Sequence, residues 1–219
     1  MEVAEYLNIA KQLAEGMSST LTIFVSTLIF SMPLGLVIAF GRMSKFAPLQ
    51  WLMRIYISIV RGTPLMLQLL VVYFAPYYLF GIRLTTGYRL TAVLIGFAFN
   101  YAAYFAEIYR AGIESIPVGQ YEAATVLGYN RVQIFIRIVF PQMVKRILPP
   151  VTNEVITLVK DTAMAYALSY AEMFTLAKQI SAAKTSIAPL FMAGVFYFVF
   201  NAIVAYVMER AEKSMSYYR

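Results

Sequence analysis

The chain contains no cysteine, no histidine and only one tryptophan, and just 13% of its 219 residues are charged. Without thiols or imidazoles it can form no disulfide, activate no thiolate nucleophile and offer none of the commonest metal ligands. A metal centre and cysteine or histidine catalysis are therefore not expected. Also missing is any G-x-x-x-x-G-K followed by Ser or Thr, the loop whose backbone cradles nucleotide phosphates, so this chain is not expected to hydrolyse ATP by that route. What fills the space left by charge is apolar surface: 61% of the residues are hydrophobic, against about half in a typical soluble domain. The composition is that of an integral membrane protein. The formal charge of +7 is spread over the short connections between apolar runs, which leaves no basic domain to hold nucleic acid.

The runs predict an all-α, single-domain protein over 1–219. Residues 16–41 carry no charge, and about 20 apolar residues suffice to cross the hydrocarbon core. Pro33 and Gly35 predict a kink in that span. The preceding residues 1–15, with Glu2, Glu5, Lys11 and Glu15, lack the basic start of a cleaved signal and read as a short interfacial helix. Residues 62–82 are uncharged and contain Gln68. Residues 90–106 are uncharged and are followed by Glu107, Arg110 and Glu114, whose helical spacing predicts mutual pairing. Near 145–161, Pro149-Pro150 predict a break or bend, while Asn153, Glu154, Thr157, Lys160 and Asp161 fall on one polar stripe. Residues 172–184 read as a polar loop before a last uncharged run. The predicted transmembrane helices are thus five, at 17–41, 54–80, 89–112, 146–170 and 185–208. Tyr77, Tyr78, Tyr217 and Tyr218 are expected as interfacial anchors.

Of the eighteen Lys and Arg, twelve lie on the face that holds 42–61, 110–146 and the C-terminal tail, five lie on the other, and Lys160 falls within a span. The positive-inside rule then places the N-terminus outside and both the C-terminus and the loop 113–141 in the cytoplasm. Within that loop Ser115 reads as an N-cap, Pro117 as a first-turn proline and Gly128 as a left-handed stop, which predicts a short helix through Glu122. Ala124 and Gly128, four residues apart, would let another backbone approach one face. Val132, Phe135, Ile136, Val139 and Phe140 then recur at helical spacing up to Pro141, where a second amphipathic piece should end. Spacing alone fits either a docking element for a soluble partner or a hairpin that caps its own bundle.

Gln120, Glu122-Ala123-Ala124, Gly128, Ile138 and Pro141 resemble the EAA loop of ABC-importer permeases, whose helix fits a groove on the ATP-hydrolysing subunit. Val60-Arg61-Gly62-Thr63-Pro64, the run 100–117, and Leu148-Pro149-Pro150 through Asn153, Glu154, Lys160, Asp161 and Thr162 are similar to the polar amino acid permease family. The resemblance covers 60–162; Ala163-Met164 depart from the Ser-Leu found in many members. It implies a type I ABC-importer permease with a cytoplasmic coupling helix, coupled through Gln120, Glu122, Ala123, Ala124 and Gly128 to ATPase subunits that bind ATP and Mg. It also implies a second permease copy or homologue and an extracellular or periplasmic solute-binding protein, in a bacterial inner or plasma membrane.

Charge at the bilayer centre costs at least about 2.5 to 3.5 kcal/mol and marks functional interiors. A Lys160–Asp161 pair would leave Glu154 as a net negative group able to attract an ammonium or guanidinium, although all three could equally serve helix packing. Asn100 and Tyr104 share a face with Glu107, and Gln68 lies in the preceding span; each can bond a substrate or another helix. The expected function is import of polar amino acids, basic ones slightly favoured. A membrane-embedded enzyme or scaffold, or a permease for another small polar solute, are the other readings. The enzyme reading is weakened because Glu154 and Asp161 lie about 10 Å apart along a helix axis, with no nearby His or Cys nucleophile.

Overall fold

The computed structural model describes residues 3–215. They form helices joined by short turns, and no strand occurs among the described residues. The first helix, α1 (Val3–Arg42), is continuous. At 1.5 Å per residue it extends about 60 Å, roughly twice the hydrocarbon core, so the described part of the separate interfacial helix expected over 1–15 is instead continuous with the first apolar run. Gly16 does not interrupt it. A Cβ there would lie 2.9 Å from the Met173 backbone, so this glycine serves a helix contact rather than a turn. Pro33 is carried within the same helix.

The second predicted span is divided. Helix α2 (Ala47–Gly62) stops at Thr63, held extended at φ −125° and ψ 149° by the proline that follows it. Helix α3 (Leu65–Phe80) departs from it at 114°. Helix α4 (Tyr88–Glu114) occupies the centre of the bundle, with Phe97, Tyr101 and Phe105 buried against α1 and α3. It is followed by the short helices α5 (Val118–Val126) and α6 (Arg131–Ile134).

Pro141 does not end the next helix. A π-helical turn, Phe135–Val139, leads from α6 into α7 (Phe140–Asp161), with Pro141 in its first turn, where an amide donor is dispensable. The Gln142 side chain donates to the Ile138 carbonyl at 2.9 Å. Pro149 and Pro150 also fail to break α7; both are exposed, so their rings meet no tight packing. Beyond Asp161 the chain tightens into a 3-10 segment, Thr162–Leu168, ended by Ser169 in the left-handed region.

The stretch expected as a polar loop over 172–184 is helix α8 (Met173–Lys184). Its polar residues hid a start signal, Glu172, which acts as N-cap. Fully buried, this carboxylate accepts from the amides of Phe174 and Thr175 at 2.6 and 2.7 Å, from the Thr175 hydroxyl at 2.7 Å, and from Tyr197 at 3.1 Å. Burial pushes its carboxyl above the usual carboxylate range, and these donors oppose that shift. Tyr197 belongs to the last helix, α9 (Ala188–Met215).

By length and composition, α1, α4 and α9 can each cross a membrane, and the bent α2–α3 pair raises that to four. Helix α7 is long enough, but Lys145, Arg146, Glu154, Lys160 and Asp161 make it too polar to count on that basis. Tyr77 and Tyr78 are exposed near the end of α3, while Tyr217 and Tyr218 lie outside the described residues.

Candidate functional site: a polar cavity and an exposed loop helix

The loop after α4 forms the short helix that its sequence predicts. Ser115 is not its N-cap: it closes α4, with its hydroxyl donating to the Gly112 carbonyl at 2.7 Å. Pro117, extended at ψ 138°, takes the position before α5. At the other end Gly128 has φ +81°. Its amide donates to Thr125 and that of Tyr129 to Ala124, at 3.0 and 3.1 Å, the paired bonds of a Schellman stop that favours glycine. Asn130 and Gln133 then exchange reciprocal side-chain and backbone bonds of 3.0 and 2.9 Å to start α6. That capping box was visible as Asn-x-x-Gln in the sequence but was overshadowed by the apolar periodicity.

The expected close-approach face is not formed. Ala124 turns inward and packs in the core with Ile116 and Ile134, while Gly128 is exposed. Gln120, Glu122 and Ala123 are exposed as well. Around them stand Val118, Val126 and Leu127, the last two 88% and 73% exposed. This mixed apolar and polar surface lies at the foot of α4.

Inside the bundle, the predicted polar residues separate into layers. At the α2–α3 elbow, the Gln68 amide donates to the Val60 carbonyl at 2.8 Å and to the Thr63 carbonyl at 3.0 Å, and accepts from Asn100 at 2.9 Å. The break leaves carbonyls of α2 without helical donors; Gln68 supplies them and ties the elbow to α4. Asp161 accepts from Tyr101 at 2.7 Å. No Lys160–Asp161 ion pair occurs among the described residues, because α4 supplies the acid's partner. Asn153, Thr157 and Lys160 form an exposed stripe, whereas Glu154 and Asp161 are half-buried beside it.

Tyr104, Glu107 and Glu154 line one cavity of about 450 Å³, together with Arg61, Arg110 and Arg146. It extends along α4 from Tyr104 to Ser115, about 16 Å at helical rise. Arg110 is already engaged: it reaches Glu107 at 2.7 Å and Glu114 at 2.6 Å, the pairing that the sequence spacing predicts. Arg146 donates to the Ser115 carbonyl. Arg61, not singled out as a site residue by its sequence context, lies with its guanidinium 5.3 Å from the centre of the Tyr104 ring, a cation–π distance. Its separation from Glu154 in sequence concealed that the two charges share a cavity. Among the described residues, neither has an ion-pair partner within 4.0 Å.

The family model for the binding-protein-dependent transport system inner membrane component matches residues 31–217. The chain is 36% identical over 202 residues to the arginine transport system permease protein ArtQ of Bacillus subtilis (strain 168), a match covering 92% of this chain and 91% of that one. It is 34% identical to the L-cystine transport system permease protein TcyB of the same organism, over 94% of this chain and 87% of TcyB. The putative glutamine transport system permease protein GlnP of Rickettsia felis (strain ATCC VR-1525 / URRWXCal2) is 33% identical, with 93% and 92% covered. A crystal structure of an amino acid ABC transporter with histidines superposes with a TM-score of 0.87 at 29% identity, over 98% of this chain and 99% of that one. The inward-facing MetNI methionine ABC transporter, at TM-score 0.75 and 17% identity over 99% and 100% of the two chains, shares the fold. With its apolar helices and a family match that spans most of its length, this chain belongs to the binding-protein-dependent transport system inner membrane components, as a multi-pass member of the polar amino acid ABC importer permeases.

Proposed function

We propose that the chain is the membrane-spanning subunit of an ATP-driven importer of polar amino acids, with basic amino acids slightly favoured. The observation that carries this reading is the polar cavity, which extends from Glu154 to Ser115 at the foot of the loop bearing α5. Such a cavity gives a small polar solute a hydrated path between helices whose other faces are apolar. The relatives named for arginine, cystine and glutamine transport support an amino acid as that solute.

In this mechanism the chain supplies pathway and coupling, and a partner ATPase holds ATP and Mg. Helix α5 with Gln120, Glu122, Ala123, Ala124 and Gly128 is the coupling element: Ala124 anchors it to its own loop, and the exposed Glu122, Val126 and Leu127 face the ATPase. Closure of two ATPase subunits moves two such helices and turns a permease dimer from inward-open to outward-open. A solute-binding protein delivers the amino acid on the opposite side. Five spans, with the N-terminus outside and the C-terminus in the cytoplasm, satisfy the distribution of Lys and Arg. Helix α7 then crosses as the polar wall of the pathway, with Asn153, Thr157 and Lys160 facing the path or the second copy. Gln68 and Asn100 hold the elbow, and Tyr104 lines the path. Glu154 attracts the ammonium of the solute, and Asp161 adds the negative charge that gives cationic amino acids their slight advantage.

The test is reconstitution into liposomes with the ATPase and binding protein, following ATP-dependent uptake of labelled arginine, lysine, histidine and glutamine. Uptake that requires the ATPase and is abolished by Gly128→Trp in an assembled complex is the expected result, with ATP hydrolysis by the isolated ATPase unchanged. Full uptake by the assembled Gly128→Trp complex would remove the coupling role, and substrate turnover without any ATPase would favour an enzyme.

A further inference from the structure

Two opposite charges that line one cavity can lower their electrostatic cost by closing into an ion pair. Arg110 and Glu107 do so at 2.7 Å in this same cavity. Arg61 and Glu154 do not, although both line it. Arg61 is held to one side over Tyr104, and its backbone is fixed because Gln68 bonds the neighbouring Val60 carbonyl and is tied in turn to Asn100. Glu154 is fixed on α7, without a hydrogen-bonding partner among the described residues. The cavity thus presents an exposed cation and a half-buried anion on different helices, neither closed into an ion pair within 4.0 Å among the described residues, with open volume beside them.

The ligand chemistry that satisfies both charges at once is a dipolar ion. Resting on the amino acid importer reading, we propose that Arg61 and Glu154 form a headgroup site that takes the α-carboxylate and the α-ammonium of a zwitterionic amino acid. The guanidinium offers a planar fork matched to a carboxylate, and the carboxylate accepts from an ammonium. Glu154 therefore reads what all α-amino acids have in common. The side chain is left to other groups, with Asp161, about 10 Å further along α7, as the remaining carboxylate that biases for positive charge. A site of this kind accepts both cationic and neutral amino acids and rejects an amine that has no carboxylate.

The experiment uses the purified permease–ATPase complex without the binding protein, so that only the membrane site is read. Binding of labelled arginine is competed with glutamine, with agmatine, which is arginine lacking its carboxylate, and with N-acetylarginine, which lacks the α-ammonium. Glutamine is expected to compete, while agmatine and N-acetylarginine bind about tenfold or more weakly than arginine. Arg61→Gln should erase the difference between arginine and agmatine, and Glu154→Gln that between arginine and N-acetylarginine. Arg61→Lys, which keeps the charge but loses the fork, should restore part of the discrimination and guards against a folding defect in Arg61→Gln. Agmatine binding the wild-type complex as tightly as arginine overturns the headgroup site, as does the absence of any measurable binding while ATP-driven uptake proceeds. If the complete assembly takes up no amino acid, the importer reading itself fails, a result distinct from either.

Discussion

Two glutamates, Glu172 before α8 and Glu154 on α7, have opposite fates. Glu172 is fully buried and receives four hydrogen bonds, two of them from the backbone of the helix it starts. Glu154 is half-buried, faces a cavity of about 450 Å³ and has no such partner among the described residues. A saturated carboxylate has no capacity left for a ligand, and its cost of burial is offset by the fold that surrounds it. An unsaturated one leaves that cost to be offset by whatever enters. The cations repeat the contrast, with Arg110 held between two acids and Arg61 set against an aromatic ring with no ion pair within 4.0 Å among the described residues.

Glu172→Ala should give the largest loss of stability, about 3 kcal/mol, since it leaves buried donors unpaired. Thermal unfolding of the detergent-solubilised complex, with assembly followed by size-exclusion chromatography, reads this; an unchanged midpoint would end the distinction between the two acids. Asn100→Leu removes the bond that ties Gln68 to α4 and should cost about 1–2 kcal/mol, with Arg61-dependent discrimination between arginine and agmatine weakening in parallel. Discrimination that survives would show that the elbow does not position Arg61. Glu107→Gln weakens a partly exposed pair and should change stability by less than about 1 kcal/mol. Glu154→Gln should have the smallest effect on unfolding, within about 0.5 kcal/mol, but should reduce arginine binding about tenfold. Destabilisation comparable with Glu172→Ala would make Glu154 a structural acid after all.

The layout of the loop was legible before any fold was known. Pro117 and Gly128 bracket a helix because their backbone preferences are local, and Glu107, Arg110 and Glu114 pair because they neighbour one another on one helix. The sequence-based readings that failed were those in which a local rule met a tertiary setting. Pro141 was expected to end a helix and Pro149-Pro150 to break or bend one, yet a π-helical turn places the first in an opening turn, and the other two, both exposed, leave α7 unbroken. Residues 173–184 looked like loop because their polarity outweighed a cap whose donors come partly from Tyr197 on another helix. Ala124 was expected on a docking face but fills its own core.

By itself, the sequence determined the membrane class, the long apolar helices and the punctuation of the loop after α4, because hydropathy and cap preference act within a few residues along the chain. Only the tertiary structure decided which polar groups meet across helices. It bent the second apolar stretch by 114° at Thr63-Pro64, gave Asp161 to Tyr101 instead of Lys160, and brought Arg61 into the cavity of Glu154. Those residues are 93 positions apart in the chain, and no local preference links them; their shared cavity follows from how α2, α4 and α7 pack.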